Sequence, residues 1–149
     1  MRASAIPLLV TLALSPARQV AAAPVWYWAY QGAGVTAHGR LTTDPQPDAR
    51  GSYRVTGITG TRNGVAIVRL AAAGRPIPGN APYRVDNRLR PGRSPLTEAG
   101  LGYALADGSY ASPFRKRNGG QMLEYLSAPP LRNGRGIEVT IRFTIRRLR

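Results

Sequence analysis

The clearest pattern in the chain is a strict alternation of apolar and polar residues near its C-terminus. The apolar positions are Ile137, Val139, Ile141, Phe143 and Ile145, and the polar positions between them are Glu138, Thr140, Arg142, Thr144 and Arg146. A period of two is that of a β-strand with one buried and one wet face. We therefore predict a half-buried antiparallel strand whose arginines face outward and protect a sheet edge.

Shorter runs of strand-forming residues recur along the chain, separated by stretches rich in glycine and proline. These runs predict strands at residues 25–30, 35–42, 52–61, 65–70, 85–89, 101–105, 110–114 and 122–126. In the first of them, Trp26, Trp28 and Tyr30 share one face. The pattern indicates a single-domain, all-β fold: an antiparallel β-sandwich or a barrel-like sheet of about eight strands.

Two local signals refine this prediction. Asn63-Gly64 stands between two strand-like runs, and this pair favours a tight hairpin because both central residues need a positive φ. Gly57 and Gly60 lie inside the preceding run, where they indicate a bulge or a close approach of backbones. Residues 71–84 contain three prolines and cannot form a regular element, so we expect a long loop that is functional, disordered or folded over a core edge.

The N-terminus has the pattern of a cleavable export signal. Arg2 precedes a mostly apolar run of about a dozen residues, which is too short to span a bilayer. Small residues follow, and Pro24 disfavours a cut directly before it. We therefore predict a leader at 1–22, cut between Ala22 and Ala23, and one domain at 23–149. A buried N-terminal helix is the alternative, which Pro7 disfavours.

The amino-acid composition excludes several kinds of catalytic and metal-binding site. The absence of cysteine excludes disulfides, thiol nucleophiles and cysteine-ligated metals. With His38 as the single histidine and no nucleophile-elbow motif, neither a serine triad nor a zinc site is expected. The glycine-rich nucleotide motifs are also missing. We expect no metal and no cofactor, and we regard an enzymatic role as less favoured than a binding or structural one.

The formal net charge of +14 raises the question of a nucleic-acid partner. Lys116 is the only lysine and the arginines are dispersed, which is more typical of a coding bias than of a phosphate-binding block. An exported protein rarely meets nucleic acid, so anionic polysaccharide, lipopolysaccharide or another envelope component is the expected partner. The local concentration at Arg115, Lys116 and Arg117 is the candidate anion-binding cluster; a generally solvated basic surface is the alternative.

Candidate site residues fall into two further groups. Asp86 and Glu124 flank long loops and form the acid pair that a small polysaccharide hydrolase would need, although each carboxylate could instead pair with an arginine. The ligand-binding candidates are aromatic residues of the first strand and polar or aromatic residues in and after the long loop: Trp26, Trp28, Tyr30, Asn80, Tyr83, Asp86 and Asn87.

Residues 57–64, reading GITGTRNG, are followed by Pro78-Gly79-Asn80 and by Asp86-Asn87. In these motifs the chain resembles, over residues 25–128, a loose group of uncharacterised exported bacterial proteins, many of which carry a PEP-CTERM sorting anchor. The resemblance implies residence at the surface or outside the cell, without a specific activity. The C-terminal residues 145–149 contain neither the Pro-Glu-Pro motif nor an apolar tail, so a soluble periplasmic or secreted product is expected.

These observations favour a non-enzymatic β-module that binds a ligand or serves a structural role in the envelope or outside the cell. Two alternatives remain open: a small polysaccharide hydrolase that uses the acid pair, and a binder of anionic polymers or lipopolysaccharide.

Overall fold

A computed structural model describes residues 17–129 and 136–149, which form nine strands and no helix in these two ranges. The strands are β1 (Val25–Gly32), β2 (Val35–Thr43), β3 (Tyr53–Arg62), β4 (Val65–Leu70), β5 (Arg88–Leu89), β6 (Tyr103–Leu105), β7 (Tyr110–Arg115), β8 (Met122–Ser127) and β9 (Ile137–Arg147). Most of the predicted leader lies outside the described residues. Within them, no helix is long and apolar enough to cross a bilayer.

Eight of the strands close into an antiparallel barrel. Successive barrel strands pair with each other, β4 pairs directly with β6, and β9 returns to pair with β1. Strand β5 lies outside this order as a short extra strand beside β3. The prediction of an all-β, barrel-like domain is confirmed. The outward orientation of the polar residues in β9 is also confirmed, but their role as edge protection is wrong. Strand β9 is paired on both sides, with β1 and β8, so it has no free edge.

Alternate residues of the strands point into the barrel and form its core. Trp28 is fully buried at the centre, where its ring packs nearly parallel to that of Phe143, with centroids 6.3 Å apart. Tyr30 and Tyr103 complete the aromatic cluster around it. The period-two pattern thus places one face of each strand in the interior, as expected from the alternation of side chains.

The predicted turn and the predicted irregularity are both present. Asn63 and Gly64 have φ values of 46° and 77°, the backbone that a type I′ hairpin requires. The Asn63 side chain also bonds to the backbone of the neighbouring β1–β2 hairpin, accepting from Thr36 N (2.8 Å) and donating to Gly34 O (2.9 Å). The two hairpins at this end of the barrel are therefore tied together.

A bulge in β3 places Val55 and Ile58 on the same buried face although they are three residues apart. The pairing with β2 shifts here, since Thr42 faces Gly57 while Thr43 faces Val55. Further along, Gly39 of β2 lies opposite a glycine of β3, and a Cβ on Gly39 would stand 1.9 Å from the Thr59 carbonyl oxygen. The bulge and the close backbone approach predicted from the glycines both occur.

One predicted strand is much shorter than its sequence pattern indicated. Of the run 85–89, only Arg88 and Leu89 join the sheet. Asn87 is the reason, because its φ of 50° breaks the extended backbone. Its buried side-chain amide donates to Ala71 O (2.6 Å) and accepts from Gly102 N (2.9 Å), which holds three distant segments together.

Residues 71–84, here called the outer segment, pack against the outside of the barrel. Ile77 and Val85 form a second small core with Tyr125 of β8. The Tyr125 hydroxyl donates to the Gly79 carbonyl, and the Ser127 hydroxyl donates to the Pro78 carbonyl. The long loop therefore covers the outer face of β7 and β8, in agreement with one of the three expectations for it, that it folds over the core.

Candidate functional site

A large concavity lies where several loops meet the ends of β3, β5 and β7. It has a volume of about 800 Å³ and is rich in charged side chains. We call it the arginine pocket, and its polar lining comes from four separate parts of the chain: Asp48, Arg50, Ser52, Asp86, Arg88, Arg90, Ser94, Thr97 and Arg115. Four arginines face two carboxylates, so the pocket carries net positive charge.

Asp48 is fully engaged within this pocket. Its carboxylate accepts hydrogen bonds from the backbone N–H groups of Ser52 and Arg50, each at 2.9 Å, and lies 2.6 Å from Arg88 Nη1. The hydrogen bond from Ser52, together with these other contacts, lowers the pKa of Asp48. Asp48 therefore organises the loop between β2 and β3 and neutralises Arg88.

Asp86 is half-buried and is held by two donors. The Thr97 hydroxyl donates to Asp86 Oδ1 at 2.8 Å, and the Arg88 backbone N–H donates to the same atom at 3.2 Å. Burial raises the pKa of Asp86 in spite of these hydrogen bonds, which act in the opposite direction. The carboxylate is thus fixed in the wall of the pocket.

The remaining arginines of the pocket have few or no acidic partners. Among residues 17–129 and 136–149, the guanidinium groups of Arg50 and Arg90 form no ion pair. Arg115 Nη2 lies 3.7 Å from Glu98, which also binds Arg117 Nε at 2.9 Å. Two guanidinium groups are therefore available to an anion, and a third is held only weakly.

A second concavity of about 420 Å³ lies between the outer segment and the outer face of β7 and β8. We call it the outer groove. Phe114 and Leu123 contribute its apolar lining, and its polar and aromatic lining comes from Asn80, Tyr83, Arg84, Glu98, Ser112, Lys116 and Glu138. The Tyr83 side chain is 72% exposed, which is unusual for an aromatic ring in a small domain.

A third group of polar side chains lies inside the barrel. Glu124 of β8 has no exposed surface and accepts two hydrogen bonds from the Arg62 guanidinium, from Nε at 2.9 Å and Nη2 at 2.6 Å. The Tyr30 hydroxyl donates to the same carboxylate and contacts the hydroxyl of Tyr103. Burial raises the pKa of both tyrosines, so both keep their protons near neutral pH. This cluster is an internal ion pair that is largely shielded from solvent, since only its Arg62 side chain keeps a small exposed surface.

The structure does not bring the predicted acid pair together. Glu124 is enclosed in the barrel and bound by Arg62, whereas Asp86 lines the arginine pocket and is bound by Thr97. A hydrolase needs both carboxyl groups at one cleft that a sugar can enter. Glu124 meets the alternative expectation instead, since its partner is an arginine.

The predicted ligand-binding residues separate into two groups. Four of them are at most 5% exposed and belong to the packed interior, so they present almost no surface to a ligand from solvent: Trp26, Trp28, Tyr30 and Asn87. The others line the two concavities: Asp86 the arginine pocket, and Asn80 and Tyr83 the outer groove.

The predicted basic cluster is also divided by the fold. Arg115 lines the arginine pocket, Lys116 lines the outer groove, and Arg117 is exposed and bound to Glu98. Arg50, Arg88 and Arg90 are not among the candidate residues predicted from the sequence. Their only signal is their position in or beside loops rich in proline and glycine, where binding residues tend to concentrate.

No protein-family model matches the chain, and neither a curated protein nor a solved structure is significantly similar to it. Function must therefore be argued from the arrangement of its own residues. Among the described residues, no three His, Asp or Glu side chains converge as metal ligands would.

Proposed function

We propose that the protein is an exported binding module that holds the acidic group of an anionic polysaccharide in the arginine pocket. The observation that carries the proposal is the convergence of four arginines on a pocket whose two carboxylates are already engaged. An acidic ligand would meet a positive potential and find guanidinium donors free to bind it.

The pocket has the dimensions and chemistry that such a ligand needs. Its volume of about 800 Å³ is typical of sites that take a small molecule or a short piece of a polymer. The planar guanidinium group presents donors in a fork that matches carboxylate and sulfate oxygens. Arg50 and Arg90 can make such contacts without first breaking an ion pair within the described chain.

Replacing one pocket arginine at a time tests this function. Arg50→Gln and Arg90→Gln are each expected to weaken binding to immobilised heparin about tenfold, since a charge-assisted hydrogen bond contributes about 1.5–3 kcal/mol. Arg40→Gln is the matched control. Arg40 is exposed on β2, so this substitution removes the same charge away from the pocket. Equal losses in all three variants would mean diffuse surface attraction and would contradict the proposal.

The salt dependence of the same binding provides a second readout. Contacts with an anion weaken as salt rises, because exposed charges are screened over about 10 Å at 0.1 M. We expect retention of the unaltered protein to fall steeply with salt and Arg40→Gln to follow it closely. A protein of this charge that fails to bind heparin even at low salt would refute the function outright.

Export is the second half of the proposal, and it rests on the leader pattern. Residues 17–23 are exposed and belong to no strand, and Pro24 is the first buried residue of the described chain. Of the described residues, a cut between Ala22 and Ala23 would therefore remove only exposed ones that belong to no strand.

Expression of the full chain in a Gram-negative host tests the export signal. We expect a periplasmic or secreted product whose mass corresponds to a start at Ala23. Leu12→Arg, which interrupts the apolar run, should keep the precursor in the cytoplasm. Cytoplasmic protein that retains the leader in the unaltered chain would contradict export while leaving the arginine pocket untouched.

A further inference from the structure

The arginine pocket and the outer groove are separated by one thin wall. The wall consists of residues 97–99 and 114–116, which run side by side, and the Arg115 backbone N–H donates to the Thr97 carbonyl at 2.9 Å. Thr97 and Arg115 face the pocket, whereas Glu98 and Lys116 face the groove. A ligand that leaves the pocket over this wall therefore enters the groove directly.

The groove offers the contacts that a sugar ring requires. Sugar rings present flat C–H faces that pack on aromatic rings, and Tyr83 displays such a ring at the surface. The Asn80 amide can donate to and accept from hydroxyl groups. The charged side chains of the groove are balanced, because Arg84 and Lys116 are matched by Glu98 and Glu138, so the groove suits the neutral part of a sugar ring.

Glu98 stands at the crossing between the two concavities. Its carboxylate binds Arg117 Nε at 2.9 Å and lies 3.7 Å from Arg115 Nη2. This carboxylate binds where an acidic group of a crossing polymer would bind. It therefore competes with the polymer for Arg115 and Arg117.

We propose that the arginine pocket and the outer groove are two subsites of one path, along which an acidic polysaccharide crosses the wall at Glu98. An acidic group lies in the pocket while a neighbouring sugar ring packs on Tyr83. The proposal rests on the function proposed above and adds the number of subsites, their order and the stacking residue.

Chain length is the property that two linked subsites would reveal. Once one part of an oligosaccharide is bound, its other end reaches the second subsite at a high effective concentration. An octasaccharide should therefore bind at least about tenfold more tightly than a disaccharide, which occupies one subsite only. Titration calorimetry with galacturonate oligomers measures this directly, and heparin oligomers of the same lengths provide a sulfated arm.

Three substitutions locate the second subsite. Tyr83→Ala should weaken octasaccharide binding about tenfold and leave disaccharide binding in the pocket unchanged, as expected for the loss of an aromatic anchor. Tyr27→Ala, on the outer face of β1, is the aromatic control and should have no effect on either. Glu98→Gln should strengthen octasaccharide binding several-fold, because it frees Arg115 and Arg117.

The outcomes separate this inference from the proposed function. If Arg50→Gln and Arg90→Gln leave binding of both lengths unchanged, the proposed function itself fails. If they weaken binding but chain length and Tyr83→Ala have no effect in either arm, the arginine pocket stands alone and the two-subsite path is refuted. The expected pattern in one arm supports the path and identifies the acidic group as carboxylate or sulfate.

Discussion

Replacement of Glu124 by glutamine tests whether the internal ion pair holds the barrel together. Glutamine has nearly the same shape, so no cavity forms, and one oxygen can still accept a hydrogen bond. The negative charge is lost, however, and the Arg62 guanidinium, only 12% exposed, remains without compensation. Removal of one partner of a buried pair typically costs about 3–5 kcal/mol.

This cost is large compared with the stability of a domain of this size. Single domains unfold with a free energy of about 5–15 kcal/mol. For a chain of this length each kcal/mol lowers the melting temperature by about 2–4 °C, and by more for shorter domains. We therefore expect Glu124→Gln to lower the melting temperature by about 10 °C.

Denaturant unfolding followed by tryptophan fluorescence measures the effect, because both Trp26 and Trp28 lie in the core. A double-mutant cycle with Arg62→Met isolates the pair, and the two losses should sum to at least about 1 kcal/mol more than the loss in the double variant. Glu98→Gln is the control, since it removes an exposed partner of Arg117 and should cost less than about 1 kcal/mol. A Glu124→Gln loss no greater than this control, or additive losses in the cycle, would refute the reasoning.

Three further predictions concern backbone geometry and protonation. Asn87→Ala should lower the free energy of unfolding by about 3 kcal/mol in denaturant, for two reasons: Ala71 O and Gly102 N lose their hydrogen-bond partner, and alanine is strained at the positive φ of this position. Asn87→Gly should recover only the part of this loss that is due to backbone strain. Gly64→Ala meets no atom within 4 Å and should cost about 1–2 kcal/mol from its φ alone; Gly39→Ala, which collides with the Thr59 backbone, should cost clearly more, and equal losses would argue against the close strand approach. Because burial raises the pKa of Asp86 above its ordinary value of 3.8, its contribution to stability is greatest below that value and is lost as the pH rises through the raised pKa. Asp86→Asn should therefore gain stability relative to the unaltered chain between acidic and neutral pH in unfolding curves, and a constant difference across that range would contradict the assignment.

Local sequence patterns were sufficient to predict the strands. The run at residues 65–70 is reproduced without change, and the C-terminal alternation becomes β9 with the expected faces. These predictions hold because a strand's period of two and a hairpin's need for positive φ involve only residues close together in the chain. The largest failure among the strand bounds, at 85–89, arises from the positive φ of Asn87, which depends on its bonds to distant segments.

The candidate sites were much less predictable. In β8, the alternation taken alone would place Leu123 and Tyr125 in the core and Glu124 in water. The structure has the opposite arrangement, because the outer segment covers the outside of β8 while Arg62 and Tyr30 receive Glu124 inside. No pattern within β8 reveals that both of its faces are covered.

The clustering of charge in the arginine pocket could not be predicted from the sequence either. Arg50, Arg90 and Arg115 are widely separated in sequence, and each looks like one more dispersed basic residue. Only the paths of the loops at this end of the barrel bring them together.

The sequence by itself therefore determined the all-β class, the positions of most strands and the tight turn at Asn63-Gly64. The tertiary structure decided that the sheet closes through β9 and β1, that Glu124 points inward, and that the arginines converge beside the groove of Tyr83. The physical reason is the range of the interactions. Backbone period and turn geometry are local, whereas strand partners, the covering of a sheet face and the sum of charges at a pocket depend on segments far apart in the chain.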